Sequence, residues 1–399
     1  MKLVPLFLSF FVFISCQSWY KTSVDMSKIT NKTTYQPFTE LNDPIVVNMP
    51  VYETLYLWGN ENNKFKQNRI GDMFVIYDWE SDEVYDWVFY GNESFYCLPN
   101  IIQVGSNSKY YINSLDSSGT IAKLEADKTS VTLYKTDKRG TFFNYSTPGK
   151  YCIRDYARHS DELNKVLFCL NIFDCEKGQY TDADIQIPTD AYGYISQPVA
   201  DNEGNFYFAN VLNGYSHIYR VDCSTETVEI KDININCFKS NTEEYEYTFD
   251  VRYVIDEENL FVYKGHLGLP PYYGNKLFLM SFTDNVRKEF TLDLDGYKWL
   301  YRIVCQDNNY YAIVEDCSDE QHLVYVYKLD INNMTGEIIN ENNPITINFN
   351  QELFVRGTRI YFLNYLNRHK IQYSYFDVET KEVSEIKVLN QKEVVGFDF

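Results

Sequence analysis

Apolar positions along this chain come in short alternating runs separated by turn residues, and after the first stretch no segment keeps a helical spacing for long. The pattern is clearest in residues 206–233, FYFANVLNGYSHIYRVDCSTETVEIKDI. There an aromatic run, Phe206 to Asn210, is followed by the turn Asn213-Gly214, an alternating run from His217 to Asp222, a second turn from Ser224 to Thr227, and a third run from Val228 to Ile233. This predicts three consecutive antiparallel strands of one sheet. Asp222, which closes the middle strand, has counterparts at Asp78, Asp127, Asp174, Asp284, Asp330 and Asp377, each ending an apolar run that leads into a turn and a further run. The spacing is about 47 residues throughout, apart from a longer step between Asp222 and Asp284. A period of that size carrying three or four strands predicts an all-β chain, a seven-bladed β-propeller of four-stranded antiparallel blades over residues 44–399.

Within that frame, blade 1 takes strands near Thr54–Trp58, Met73–Asp78 and Val84–Phe89, with an Asn/Lys-rich loop at 59–71. Asn100–Val104 is expected to open blade 2. In blade 5 the strands Thr248–Val254, Leu260–Tyr263, Leu277–Phe282 and Lys288–Leu292 enclose a long loop, Lys264–Asn275. A last strand, Val394–Phe397, is expected to close the ring together with the strand near Ile45–Asn48, which removes a free edge.

The amino terminus changes the picture of where such a ring resides. Leu3 to Ile14 is an apolar run too short to span a bilayer but of the length of a signal-peptide core, and it ends in Ser15-Cys16. Here the chain resembles bacterial lipoproteins, in which a small residue precedes the cysteine that receives the lipid; Phe13 departs from their usual leucine. The resemblance implies a signal peptide over 1–15, lipidation of Cys16 and a polar tether over 16–43. An ordinary secretory signal cleaved at the same place leaves Cys16 as a mature thiol. Either route leads to an extracytoplasmic protein, with the membrane reached only through the N-terminal lipid. The net charge of −20 excludes nucleic acid and anionic membrane surfaces as natural partners.

Nine cysteines less Cys16 leave an even number for an oxidising compartment. Two hairpins are candidates for disulfides, Cys152 with Cys169 and Cys305 with Cys317; buried reduced thiols are the alternative. No cysteine and histidine set has zinc-type spacing, so no metal site is expected.

Two short stretches carry further resemblances. Asp201-Asn202-Glu203-Gly204-Asn205, continued by Tyr207, is similar to the turn and strand of several extracytoplasmic six- and seven-bladed propeller families. Tyr327-Lys328-Leu329-Asp330 followed by Thr335-Gly336 looks like the repeat of quinoprotein-type propellers; because the other blades lack Thr-Gly, no quinone and no other cofactor is implied. In general layout the chain resembles the propeller lipoprotein of the outer-membrane assembly machine, although it carries that repeat once.

No nucleophile elbow, HExxH, P-loop or dinucleotide fingerprint is present, and the five histidines are scattered. Candidate chemistry therefore rests on loops and channel residues. The loop KGHLGLPPYYGN presents Lys264, His266, Tyr272 and Tyr273, with Pro270-Pro271 stiffening it. Aromatics on a stiff loop lose little entropy on binding, although the same side chains also suit capping of blade 5. Arg252 and Arg302 occupy matching places on the inner strands of blades 5 and 6, where they face an anionic ligand or pair with Asp250 and Glu315. The reading is a monomeric cell-envelope binding or scaffold module that meets a protein or glycan through its loop-rich face. The alternative is an extracytoplasmic glycan lyase or hydrolase, which requires His266, Tyr272, Arg252 and Arg302 to converge.

Overall fold

The computed structural model describes the backbone of residues 45–390 outside a set of loops, among them 57–63, 91–99, 103–109, 237–246, 267–270 and 347–350, and side chains chiefly from residue 151 onward. The expected signal peptide, Cys16, the tether and Val394–Phe397 lie outside the described residues. All described regular structure is β, in seven antiparallel sheets that follow one another in chain order.

The fourth to seventh sheets are the most completely described. The fourth consists of Val199–Ala200, Asn205–Leu212, Tyr215–Asp222 and Thr227–Asn236. The fifth uses Tyr247–Val254, Asn259–His266, Lys276–Ser281 and Arg287–Glu289. Lys298–Gln306, Asn309–Asp316, Leu323–Asp330 and Thr335–Ile338 make the sixth, and Gln351–Arg356, Arg359–Asn367, Lys370–Asp377 and Lys387–Asn390 the seventh. The first strands touch in sequence: Thr141–Tyr145 of the third sheet meets Val199–Ala200, which meets Tyr247–Val254, which meets Lys298–Gln306, which meets Gln351–Arg356. The remaining strands of each sheet therefore fan outward from a shared inner row.

This stacking explains the unbroken aromatic run at 206–208. Phe206 and Phe208 pack with Ile153, Leu170 and Ile172 of the third sheet, whereas Tyr207 on the opposite face packs with Phe249, Val262 and Phe278 of the fifth. All three are fully buried, so a strand that alternates in direction needs no polar alternation. Each such side chain contributes roughly 1.5–3 kcal/mol by leaving water. Phe261, Tyr263 and Leu277 pack in the same way on Leu300, Ala312 and Val314. Ile313 and Val326 pack on Ile360 and Phe362.

At Asp222, Asp330 and Asp377 the third strand ends by folding the next turn onto the carboxylate. Asp222 accepts the N–H groups of Ser224 and Thr225, Asp330 those of Asn332 and Asn333, and Asp377 those of Glu379 and Thr380. Burial raises the Asp222 carboxyl, and the bonds from Ser224 and Thr225 outweigh it, holding the group below its ordinary range. Asp284 is a correction to the period. The strand ends at Ser281, whose hydroxyl accepts the Asp284 N–H, so Ser281 occupies the closing position in the fifth sheet.

The lone Thr335-Gly336 also has a packing reason. Thr291 pairs with Thr335, and a Cβ on Gly336 would stand 2.3 Å from Leu292 Cδ2, so any larger residue at this crossing between the fifth and sixth sheets must displace that methyl group. Gly336→Ala is expected to lower stability by about 1–3 kcal/mol through overpacking. A urea midpoint equal to that of the parent protein would show that Leu292 gives way freely.

Other expectations are corrected. Much of the Asn/Lys-rich 59–71 segment is strand, because Lys64–Asp78 forms a long hairpin with Ile45–Tyr56. Asn100–Ile102 belongs to the first sheet, where it pairs with Val46 to Asn48. Ile45–Asn48 is thus flanked by strands of its own sheet and does not supply the closing strand. The disulfides are not formed: Cys169, Cys305 and Cys317 carry reduced thiols. Register is the reason. Cys169 stands opposite Tyr156 while Cys152 stands opposite Phe173, an offset of about four residues or roughly 13 Å along a strand. That exceeds the ~7 Å a disulfide spans between Cα atoms. Cys305 sits by the turn, opposite Tyr310, and Cys317 lies beyond the far end of the same hairpin.

Candidate functional site

The site is built where the fifth and sixth sheets meet, at the end where inner strands begin. Val251 pairs with Val262 and Tyr253 with Phe261, so Arg252 is the extra residue of a β-bulge. Its guanidinium turns toward the sixth sheet and donates to the carbonyl of Tyr301 at 3.1 Å and to Asp250 Oδ2 at 2.9 Å. It also lies over the rings of Tyr263 and Trp299, 5.1 and 5.7 Å from their centroids. Tyr301 is itself the bulged residue of its strand. Arg302 repeats the gesture one sheet on, donating to the carbonyl of Leu353 at 3.3 Å. The two arginines therefore clasp successive inner strands and do not converge on one anion. Of the two expected acidic partners, Asp250 is paired with Arg252, whereas Glu315 is paired with His322.

Tyr263 extends over Gly265, where a Cβ would stand 2.7 Å from the ring. On the opposite face of the same strand Lys264 places its ammonium 3.6 Å from the centroid of Tyr247, and His266 meets that ring edge-on at 5.5 Å. The loop beyond is pinned by Asn275, which accepts the His266 N–H and donates to the carbonyls of Leu294 and Lys298. Tyr272 pairs with Gly296, and its ring lies 6.5 Å from that of Trp299; Tyr273 is 62 % exposed. Tyr272 and Arg252 thus share Trp299 as a neighbour, while Lys264 and His266 point to the other face of the sheet. The four residues that the enzyme reading requires are divided between separate environments.

A constellation that the sequence did not reveal adjoins Tyr272. The backbone N–H of Cys317 donates to the Tyr297 carbonyl at 2.9 Å, which lays Cys317 beside the Gly296–Tyr297 segment that Tyr272 also pairs with. Glu315, opposite Trp299 in register, is 3 % exposed and lies 2.5 Å from Nδ1 of His322. Ligand atoms of Glu315, Cys317 and His322 all fall within 4.8 Å of one another. Sequence spacing showed no zinc-type set, and it is the fold that brings these three donor atoms together. Burial raises the Glu315 carboxyl, and the hydrogen bond and charge of His322 offset it only in part. Burial, with the charges of Glu315 and Asp316, pushes the Cys317 thiol up to about 11. Burial, then Cys317 and Glu315, raises Tyr272 as well, which places its phenol within electrostatic reach of both.

No protein-family model matches the chain, and no curated protein matches its sequence. Among solved structures it is similar to a putative 6-phosphogluconolactonase from Bacteroides uniformis, with a TM-score of 0.50 at 12% identity over 88% of this chain and 97% of that one. It is also similar to prolyl oligopeptidase B from Galerina marginata, with a TM-score of 0.51 at 11% identity over 82% of this chain and 49% of that one. The β-propeller domain of the Trilobed protease from Pyrococcus furiosus gives a TM-score of 0.48 at 12% identity, covering 87% of this chain and 94% of that domain. The fold is a β-propeller. Inner strands laid side by side and antiparallel blades in chain order carry that statement, and at these identities the first two likenesses speak of fold and leave activity open.

Proposed function

We propose that this propeller has seven blades and serves as an extracytoplasmic binding or scaffold module, held at the cell envelope by a lipid on Cys16, whose loop-bearing end meets an envelope protein or glycan. One observation supports this reading above others. Tyr215, Tyr273 and Tyr297 are 45%, 62% and 43% exposed, and all three lie where a second strand turns into a third or one blade leads into the next. The other exposed large apolar residues among the described ones, Ile230, Val286, Ile386 and Val388, lie on or beside outer strands. Tyrosine supplies broad amphipathic contact at low entropic cost, which suits a recognition rim.

Passing the purified chain over an envelope extract and a glycan array tests the role. Tyr273→Ala and Tyr297→Ala are each expected to weaken capture of the retained partner by about tenfold without moving the melting temperature. Capture unaffected by both substitutions, or turnover of a bound glycan, defeats the binding reading. Equal labelling of the parent and Cys16→Ala by a palmitate analogue defeats the anchor. The hydrolase alternative draws only on the names of the fold neighbours, because His266, Tyr272, Arg252 and Arg302 do not share one environment.

A further inference from the structure

We infer that Glu315, Cys317 and His322 form a binding site for a divalent transition-metal ion of the zinc class. The chain brings them together through hairpin register. Asp316 pairs with Leu323, so residues just beyond the strand ends, Cys317 and His322, face each other across the opening of the turn, while Glu315 lies one step inside. In sequence the set reads as an unremarkable Glu-x-Cys with a histidine five residues on, and only the doubling back makes it a cluster.

Each member is held. Glu315 is fixed by its strand and almost fully buried. Cys317 is positioned by its bond to the Tyr297 carbonyl and by a turn in which the Ser318 N–H donates to Asp316 Oδ1 at 2.9 Å. His322 immediately precedes the next strand and is partly exposed, which leaves a solvent path to the cluster. A tetrahedral zinc site with bonds of about 2.0–2.3 Å separates its ligand atoms by roughly 3.3–3.8 Å. Atoms already within 4.8 Å of one another reach that geometry by shifts on the order of 1 Å.

The donor set selects the ion. A thiolate with an imidazole and one carboxylate suits zinc-class ions and discriminates against calcium and magnesium, which take oxygen ligands. Three protein ligands would leave one coordination position for water or a further ligand. A buried carboxylate next to a half-exposed imidazole is also better compensated by a divalent ion than by the histidine alone. On binding, the Cys317 S–H bond breaks, its proton passes to solvent, and a metal–sulfur bond forms.

The purified chain, stripped with a chelator, is titrated with Zn²⁺ against a chromophoric competitor and, separately, with Co²⁺. One equivalent is expected to bind, with a thiolate-to-cobalt charge-transfer band that disappears in Cys317→Ser. Zn²⁺ affinity is expected to fall by roughly 100-fold or more in Cys317→Ser and His322→Ala, beyond the 10–100-fold usual for outer-shell partners, and by at least about tenfold in Glu315→Gln. Metal-free melting of the variants shows that they fold; should Cys317→Ser fail to fold, His322→Ala carries the test. Absence of saturable binding, or a charge-transfer band that persists in Cys317→Ser, overturns the assignment.

Discussion

Replacing Arg252 by alanine is expected to lower the unfolding free energy by about 3–5 kcal/mol, read as a large fall in the urea midpoint. The side chains of Arg252 and Asp250 are only 16% and 9% exposed, so truncation leaves the carboxylate desolvated beside an emptied space between Tyr263 and Trp299. It also cuts the bond to the Tyr301 carbonyl that ties one inner strand to the next. Arg252→Lys should recover little, because an ammonium cannot lie flat against two rings while donating to two acceptors. Arg252→Met combined with Asp250→Leu should recover most of the loss, since removing both charges removes the desolvation penalty with them. Arg302→Ala is expected to cost only about 1 kcal/mol: it too crosses to the next strand, but among the described residues it is paired with no carboxylate. If Arg252→Ala and Arg302→Ala fall within about 1 kcal/mol of each other, the buried ion pair is not what holds this junction.

That contrast shows what sequence could and could not supply. Equivalent placement of the two arginines on inner strands was legible, because bulk apolar runs at 260–263 and 310–314 set the strand positions. Their direction was not. A bulge at Arg252 turns its side chain along the ring toward the neighbouring strand, and a single unpaired residue leaves no mark on hydrophobic alternation. The same limit governs the cysteines. Hairpin spacing alone made Cys305 and Cys317 look bridgeable, while register sends Cys317 to His322 at the opposite end. Composition misled at 64–71, where lysine and asparagine read as loop, yet the residues lie in a hairpin whose partner strand supplies the apolar pattern. Asp284 shows the cost of counting one residue type in an acidic chain, for the turn it was meant to close is closed by Ser281.

Asp201 is the position where the sequence motif and the energetics coincide, and Asp201→Ala is expected to cost about 3 kcal/mol. Every polar member of the Asp-x-x-Gly-Asn-x-Tyr run is accounted for by this one carboxylate. Its Oδ1 accepts the N–H groups of Glu203, Gly204 and Asn205 at 2.9, 2.8 and 2.8 Å. Its Oδ2 accepts the Asn205 side-chain amide at 2.7 Å and the Tyr207 hydroxyl at 3.3 Å. Gly204 supplies the left-handed backbone, at φ 94°, that points those N–H groups inward. Asp201 is 6% exposed, so water cannot replace what it provides, and Tyr207 carries the loss into the core shared with Phe282. Asp222 closes a similar turn in the open, and Asp222→Ala should therefore cost about 1 kcal/mol or less. Asp201→Asn should fall between the two, keeping an acceptor for the backbone while losing the second oxygen. Equal urea midpoints for Asp201→Ala and Asp222→Ala would mean that burial does not set the worth of these turns, and that both aspartates act through local geometry alone.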